Sequence, residues 1–96
     1  MYTLEFLPNF RSKAKKLTSR NLLLAKKLSK TFQLLQTNPL HPSLRSHKVD
    51  AKSQKDVWSS SVTGDIRIIW EYAGSRINVI TLIVIGSHSG SWKVYK

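Results

Sequence analysis

The sequence predicts an α+β domain: an N-terminal strand, a helical hairpin, then a largely antiparallel three- or four-stranded sheet with the helices on one face. Three observations carry that prediction. Asp65-Ile66-Arg67-Ile68-Ile69-Trp70 alternates as a half-buried strand does, sending Ile66, Ile68 and Trp70 to one face and Arg67, Ile69 and Glu71 to the other. The apolar run Ile77 to Ile85 follows across Glu71-Tyr72-Ala73-Gly74-Ser75-Arg76, whose Gly74-Ser75 is a turn signal, so the two strands read as a hairpin. Earlier, Leu24, Leu28, Phe32 and Leu35 form a helical stripe, widened by Leu23 and Leu34. Helices gathered before a run of strands pack on one sheet face, leaving Arg67 on the face they do not cover.

In chain order, Tyr2 to Phe6 alternates as a first strand, with Tyr2, Leu4 and Phe6 on one face. Pro8 ends it and is well placed in a first helical turn. Phe10, Ala14 and Leu17 then recur at helical spacing, with Arg11, Lys13, Lys15 and Lys16 mostly elsewhere. Thr18-Ser19 breaks that run and is expected to cap a second helix over residues 20 to 37. Asn38-Pro39 stops it, because the residue before a proline is steered out of the helical region. Leu40 to Val49 reads as a loop or short extended piece, and 50 to 56 as a polar surface loop. Val57 to Val62 is strand-like despite its serines, and Thr63-Gly64-Asp65 turns into the next strand. After Gly86-Ser87-His88-Ser89-Gly90 the chain ends in an extended tail, a possible further strand.

Composition narrows the function. Ninety-six residues make one domain, residues 1–96, because a second core would not fit. With 41% hydrophobic and 22% charged residues the chain is globular rather than disordered. The absence of cysteine excludes disulfides and thiol nucleophiles, and suits a cytoplasmic location. No signal peptide is apparent, and the apolar run Val79 to Ile85 is far short of the ~20 residues of a membrane helix, so no membrane partner is expected. Three histidines and five carboxylates lack ligand spacing, so neither metal nor other cofactor is expected. Sixteen Lys and Arg against five Asp and Glu give a formal charge of +11 and a pI near 10.4. Such a chain attracts polyanions or an acidic protein.

Leu35-Gln36-Thr37-Asn38-Pro39-Leu40-His41-Pro42-Ser43-Leu44-Arg45-Ser46-His47-Lys48-Val49, Trp58-Ser59, Val62 to Trp70, Ile85-Gly86-Ser87-His88 and Val94-Tyr95 together resemble the RelE/ParE toxin superfamily of type II toxin–antitoxin systems. Their order and spacing are similar to the branch of YafQ-like and RelE-like mRNA interferases. The resemblance implies a RelE-like, RNase-like fold and ribosome-dependent mRNA cleavage. It also implies inhibition by an acidic antitoxin that wraps the toxin in a hetero-oligomeric complex. The gyrase-inhibiting ParE branch, which is not a nuclease, and a basic RNA-binding domain without catalysis are the alternatives.

RNA cleavage by side chains needs a base for the 2′-hydroxyl proton, a cation for the phosphate and an acid for the leaving oxygen. His88, in a glycine-flanked turn after a buried strand, is the first acid–base candidate, and Arg67 suits the phosphate. The resemblance adds His47 as a second site histidine and Tyr95 as a site aromatic, a place Trp92 can take because of the long spacing from His88. It aligns Asp65 with an acidic site residue, although an aspartate beside Gly64 is also an ordinary turn residue. Ser59 and Ser61 stand where relatives carry charged or histidine side chains, a departure that implies either compensation by His47, Lys48, Lys52 and Lys55 or weak cleavage. Lys13, Lys15, Lys16, Lys26, Lys27 and Lys30 suit ribosomal RNA backbone or simply a solvated face. His41, beside Pro42, reads as a loop residue.

Overall fold

The computed structural model describes residues 1–49, 57–74 and 76–87. Strand β1 (Thr3–Phe6) leads into helices α1 (Pro8–Thr18) and α2 (Leu22–Thr37), then a 3-10 turn (Pro42–Leu44). Strands β2 (His47–Val49), β3 (Val57–Ser61), β4 (Ile66–Tyr72) and β5 (Val79–Ser87) follow. They build one five-stranded sheet in the order β1-β5-β4-β3-β2, antiparallel except where β1 lies parallel to β5. The α+β arrangement is the expected one, with the N-terminal strand joined to the sheet.

Packing follows the predicted faces. Ile68, Trp70, Ile80, Leu82 and Ile85 of the sheet meet Phe10 of α1 and Leu28 and Leu35 of α2 in a single core, and Tyr2, Leu4, Phe6 and Ile66 pack against it. A bulge keeps β5 in step with β4. Ile69 pairs with Val84 but Trp70 pairs with Leu82, so Ile83 is an extra residue. Leu82 and Ile85, three positions apart, are therefore both buried.

Several local expectations change. Asn21, not Thr18-Ser19, caps α2: its side-chain oxygen accepts from Leu24 N at 3.0 Å, while the Thr18 hydroxyl turns back to donate to Ala14 O. Leu23 does not widen the stripe; it is 65% exposed at the start of α2, and the buried face runs through Thr31 instead, whose hydroxyl donates to Lys27 O. The hairpin turn falls later than the composition suggests. Glu71 and Tyr72 stay in β4, while Ile77 leaves the strand, 89% exposed, because Asn78 adopts the left-handed conformation (φ 60°) that starts β5. Ser75, half of the expected turn signal, lies outside the described residues. Of the two forms expected for Leu40 to Val49, a loop or a short extended piece, His47–Val49 takes the extended one as an edge strand, because β3 offers it a ladder: His47 pairs with Ser59 and Val49 with Val57.

One hydrogen-bonded chain ties that loop to the core. Trp70 Nε1 donates to Ser60 Oγ at 2.7 Å, Ser60 Oγ lies 2.6 Å from Ser46 Oγ, and Ser46 Oγ donates to Pro39 O at 2.7 Å. Because the Ser46 proton goes to Pro39, Ser60 is the donor to Ser46. Each hydroxyl thus accepts once and donates once, which satisfies a buried indole N–H.

Candidate functional site

Sheet register decides which candidate side chains share a face. Arg67 pairs with Ser61 on one side and Gly86 on the other; in the next row His47, Ser59, Ile69 and Val84 lie across from one another. Arg67 and His47 therefore sit on the face away from the helices. That face is less open than predicted. Ser59 is fully buried, and Val57 and Ile69 are nearly so. A two-atom serine side chain between His47 and Ile69 lies too low in the sheet to reach solvent.

Arg67 is half-buried. Its Nη1 donates to Ser61 Oγ at 2.7 Å, and Ser61 Oγ donates onward to Thr63 O at 3.2 Å. Its Nε is buried without a hydrogen-bond partner. Glu71, two positions along the same face, forms no ion pair with it among the described residues. A guanidinium held by one neutral hydroxyl keeps its full charge and most of its donors, which is the state a phosphate oxygen requires.

His47 is exposed at the sheet edge, with Nδ1 3.1 Å from Arg45 O. A carbonyl only accepts, so Nδ1 is the donor in this contact, and in the neutral ring the lone pair is then on Nε2. This is the tautomer of a proton acceptor. The carbonyl is aimed by Arg45, in the left-handed conformation (φ 51°) where the 3-10 turn ends. His41 is occupied differently: its Nδ1 accepts from Ser43 N at 3.1 Å and caps the 3-10 turn, the loop role expected of it.

Asp65 is exposed at the start of β4, and its Oδ1 accepts from Ser87 Oγ at 2.7 Å. Ile66 and Ser87 pair, so Asp65 stands beside the end of β5, next to the residue that precedes His88. Lys48 is not brought to Arg67. It pairs with Trp58, which pairs with Trp70, and this row lies on the helix side; Lys48 Nζ sits 5.8 Å from the Trp58 ring centre. His88, Trp92, Tyr95, Lys52 and Lys55 lie outside the described residues. Among the described residues no group of three or more His, Cys, Asp or Glu is placed to hold a metal ion.

Two features escaped sequence reasoning: the bond of Ser61 to Arg67, and Ser87 as a partner of Asp65. For Ser61 a signal existed: a hairpin centred on Gly64 places residues 61 and 67 opposite one another. For Ser87 the bulge in β5 hides the register. On the helix side Lys15, Lys16, Arg20, Lys26, Lys27 and Lys30 are exposed, and no acidic residue occurs between positions 6 and 49.

No protein-family model matches the sequence, and no curated protein matches it significantly. Solved structures do match. A metal-bound toxin from Helicobacter pylori superposes with a TM-score of 0.76 at 27% identity, over 96% of this chain and 100% of that one. The toxin–antitoxin complex DinJ–YafQ of E. coli gives 0.69 at 20% identity, over 92% and 93% of the two chains. The archaeal RelE–RelB complex of Pyrococcus horikoshii OT3 gives 0.71 at 13% identity, over 92% and 96%. Each match spans the sheet and both helices. The chain thus has the fold shared by these RelE, YafQ and YoeB/ParE toxins.

Proposed function

We propose that this chain is the toxin of a toxin–antitoxin pair and acts as an endoribonuclease on mRNA engaged with the ribosome. The observation that carries the reading is Arg67: a half-buried guanidinium held by a hydroxyl, with no carboxylate to neutralise it among the described residues. In this reading Arg67 binds the scissile phosphate. His47, whose Nδ1 donates to the Arg45 carbonyl, takes the 2′-hydroxyl proton at Nε2. The 2′-oxygen attacks phosphorus, the bond to the 5′-oxygen breaks, and a 2′,3′-cyclic phosphate and a 5′-hydroxyl form. His88 returns a proton to the leaving oxygen, and Asp65 borders the strand end from which His88 follows. Trp92 or Tyr95 stacks on a base, Lys48, Lys52 and Lys55 add backbone contacts, and the exposed helix lysines engage ribosomal RNA.

An acidic antitoxin is the expected protein partner, because such a segment offsets a charge of +11 and because solved neighbours include toxin complexes. The cytoplasm, where mRNA and ribosomes are, is the site of action.

The test is cleavage of a defined mRNA on purified ribosomes, mapped by primer extension. Arg67→Ala is expected to lower cleavage by about 100-fold or more, as loss of a transition-state charge donor does. Cleavage at the wild-type rate by this variant refutes the assignment of Arg67. Inhibition of gyrase supercoiling with mRNA left intact replaces the reading with the ParE-like one.

A further inference from the structure

We infer that Ser61 is a positioning residue for Arg67, holding the guanidinium in one orientation while leaving its charge unquenched; this rests on the nuclease reading of the site. Four observations converge on it. The two residues are direct cross-strand partners on β3 and β4, with Nη1 and Oγ 2.7 Å apart. The hydroxyl is itself oriented: its proton goes to Thr63 O, so its lone pair faces Arg67. Thr63 belongs to a well-braced turn. Val62 N and Thr63 N both donate to Ile66 O, and Thr63 Oγ1 accepts from Asp65 N and Ile66 N. On its other flank Arg67 faces Gly86, which has no side chain to hold it.

A serine at position 61 then has a reason that the loss of a charged residue obscures. A carboxylate there would pair with the guanidinium and compete with phosphate; a second cation would repel it. A neutral acceptor fixes direction without cancelling charge. The hydroxyl's part here is orientation: its proton goes to a backbone carbonyl and one of its two lone pairs to Arg67. Preorganisation of this kind acts on the transition state, where the phosphate charge is greatest, more than on ground-state binding.

The test is a double-mutant cycle on the full chain, with kcat and KM for mRNA cleavage on ribosomes and folding checked by circular dichroism. Ser61→Ala is expected to lower kcat about tenfold, the scale of one hydrogen bond to a charged group, with KM little changed. Ser61→Thr, which keeps the hydroxyl, is expected to restore the rate. Ser61→Asp is expected to raise KM, because it neutralises Arg67. The pair Ser61→Ala with Arg67→Ala should be no slower than Arg67→Ala alone. Wild-type kcat in Ser61→Ala, or a further tenfold loss in the pair, overturns the inference. The Arg67 side-chain resonances in ¹⁵N NMR separate the two levels of the argument. Terminal N–H signals resolved in wild type and averaged in Ser61→Ala support the link even if no RNA is cut, in which case only the nuclease reading falls. Resonances identical in both proteins overturn the positioning role.

Discussion

Replacing Ser60 with alanine isolates one structural element, the chain from Trp70 through Ser60 and Ser46 to Pro39 O. Ser60 and Trp70 are both fully buried, so the variant leaves the indole N–H with neither a protein acceptor nor access to bulk water. An orphaned buried donor costs about 1–3 kcal/mol, and loss of the Ser60–Ser46 bond adds roughly 0.5–1.5 kcal/mol. The Ser46 proton keeps its acceptor in Pro39 O, so no third term enters. Ser60→Ala is therefore expected to cost about 1.5–4.5 kcal/mol, a large share of the ~5–15 kcal/mol by which small domains are stable. At ~4–8 °C per kcal/mol for a domain of this size, the Tm should fall by on the order of 6–36 °C. Thermal and urea unfolding by far-UV circular dichroism measure it. In a Trp70→Phe background, which has no indole N–H to orphan, the same serine change should cost about half as much or less. A Ser60→Ala protein within ~0.5 kcal/mol of wild type, or an equal cost in both backgrounds, would refute the reasoning.

Asn21→Ala, which removes the cap of α2, should lower stability by about 1 kcal/mol by urea midpoint, whereas Asn21→Asp should keep the cap and add a favourable charge to a helix with no acid in its first turn. Burial, and then the neighbouring Tyr2 phenol, hold the Tyr72 hydroxyl above the ordinary tyrosine value. The folded phenol thus keeps its proton longer than the unfolded one. Its contribution to stability is full below pH ~10 and is lost as pH climbs through the folded value, so Tyr72→Phe should flatten the alkaline decline in Tm and remove one tyrosine from the high-pH part of an ultraviolet titration. The Arg76–Glu5 ion pair is exposed on both sides, so Glu5→Gln should cost less than ~1 kcal/mol by urea unfolding, and nothing measurable in 1 M salt.

The parts of the fold that were legible are those whose signal is repeated within one element. The stripe of α2 states its face several times over, and Ile66, Ile68 and Trp70 state theirs three times, so a single misleading residue could not reverse either. Features stated once went astray. Ile77 is apolar and precedes an apolar run, yet a lone side chain belongs to no face until Asn78 has set where the ladder begins. Ser60 is polar within a strand, and its burial depends on Trp70 ten residues later and Ser46 fourteen residues earlier. Strand β2 has three residues and no period of its own; its existence is a property of the pairing with β3.

The same logic governs the site. Arg67 and Ser61 are tied by a short hairpin whose centre at Gly64 is visible in the sequence, and their partnership follows from counting outward from it. His47 and Lys48 are neighbours of equal chemical promise, and adjacent residues on a strand face opposite ways. Which of them joins Arg67 therefore depends on the register of β2 against β3, and a slip of one residue would exchange them. The ladder that places His47 opposite Ser59, and Ser59 opposite Ile69, turns the imidazole to the arginine face and leaves Lys48 over Trp58. That choice is made by the pairing of two strands, not by the local pattern of either. Whether His47 or Lys48 shares a face with Arg67 is thus a question of register. An insertion that shifted β2 by one residue should abolish cleavage with both residues still present, as surely as His47→Ala.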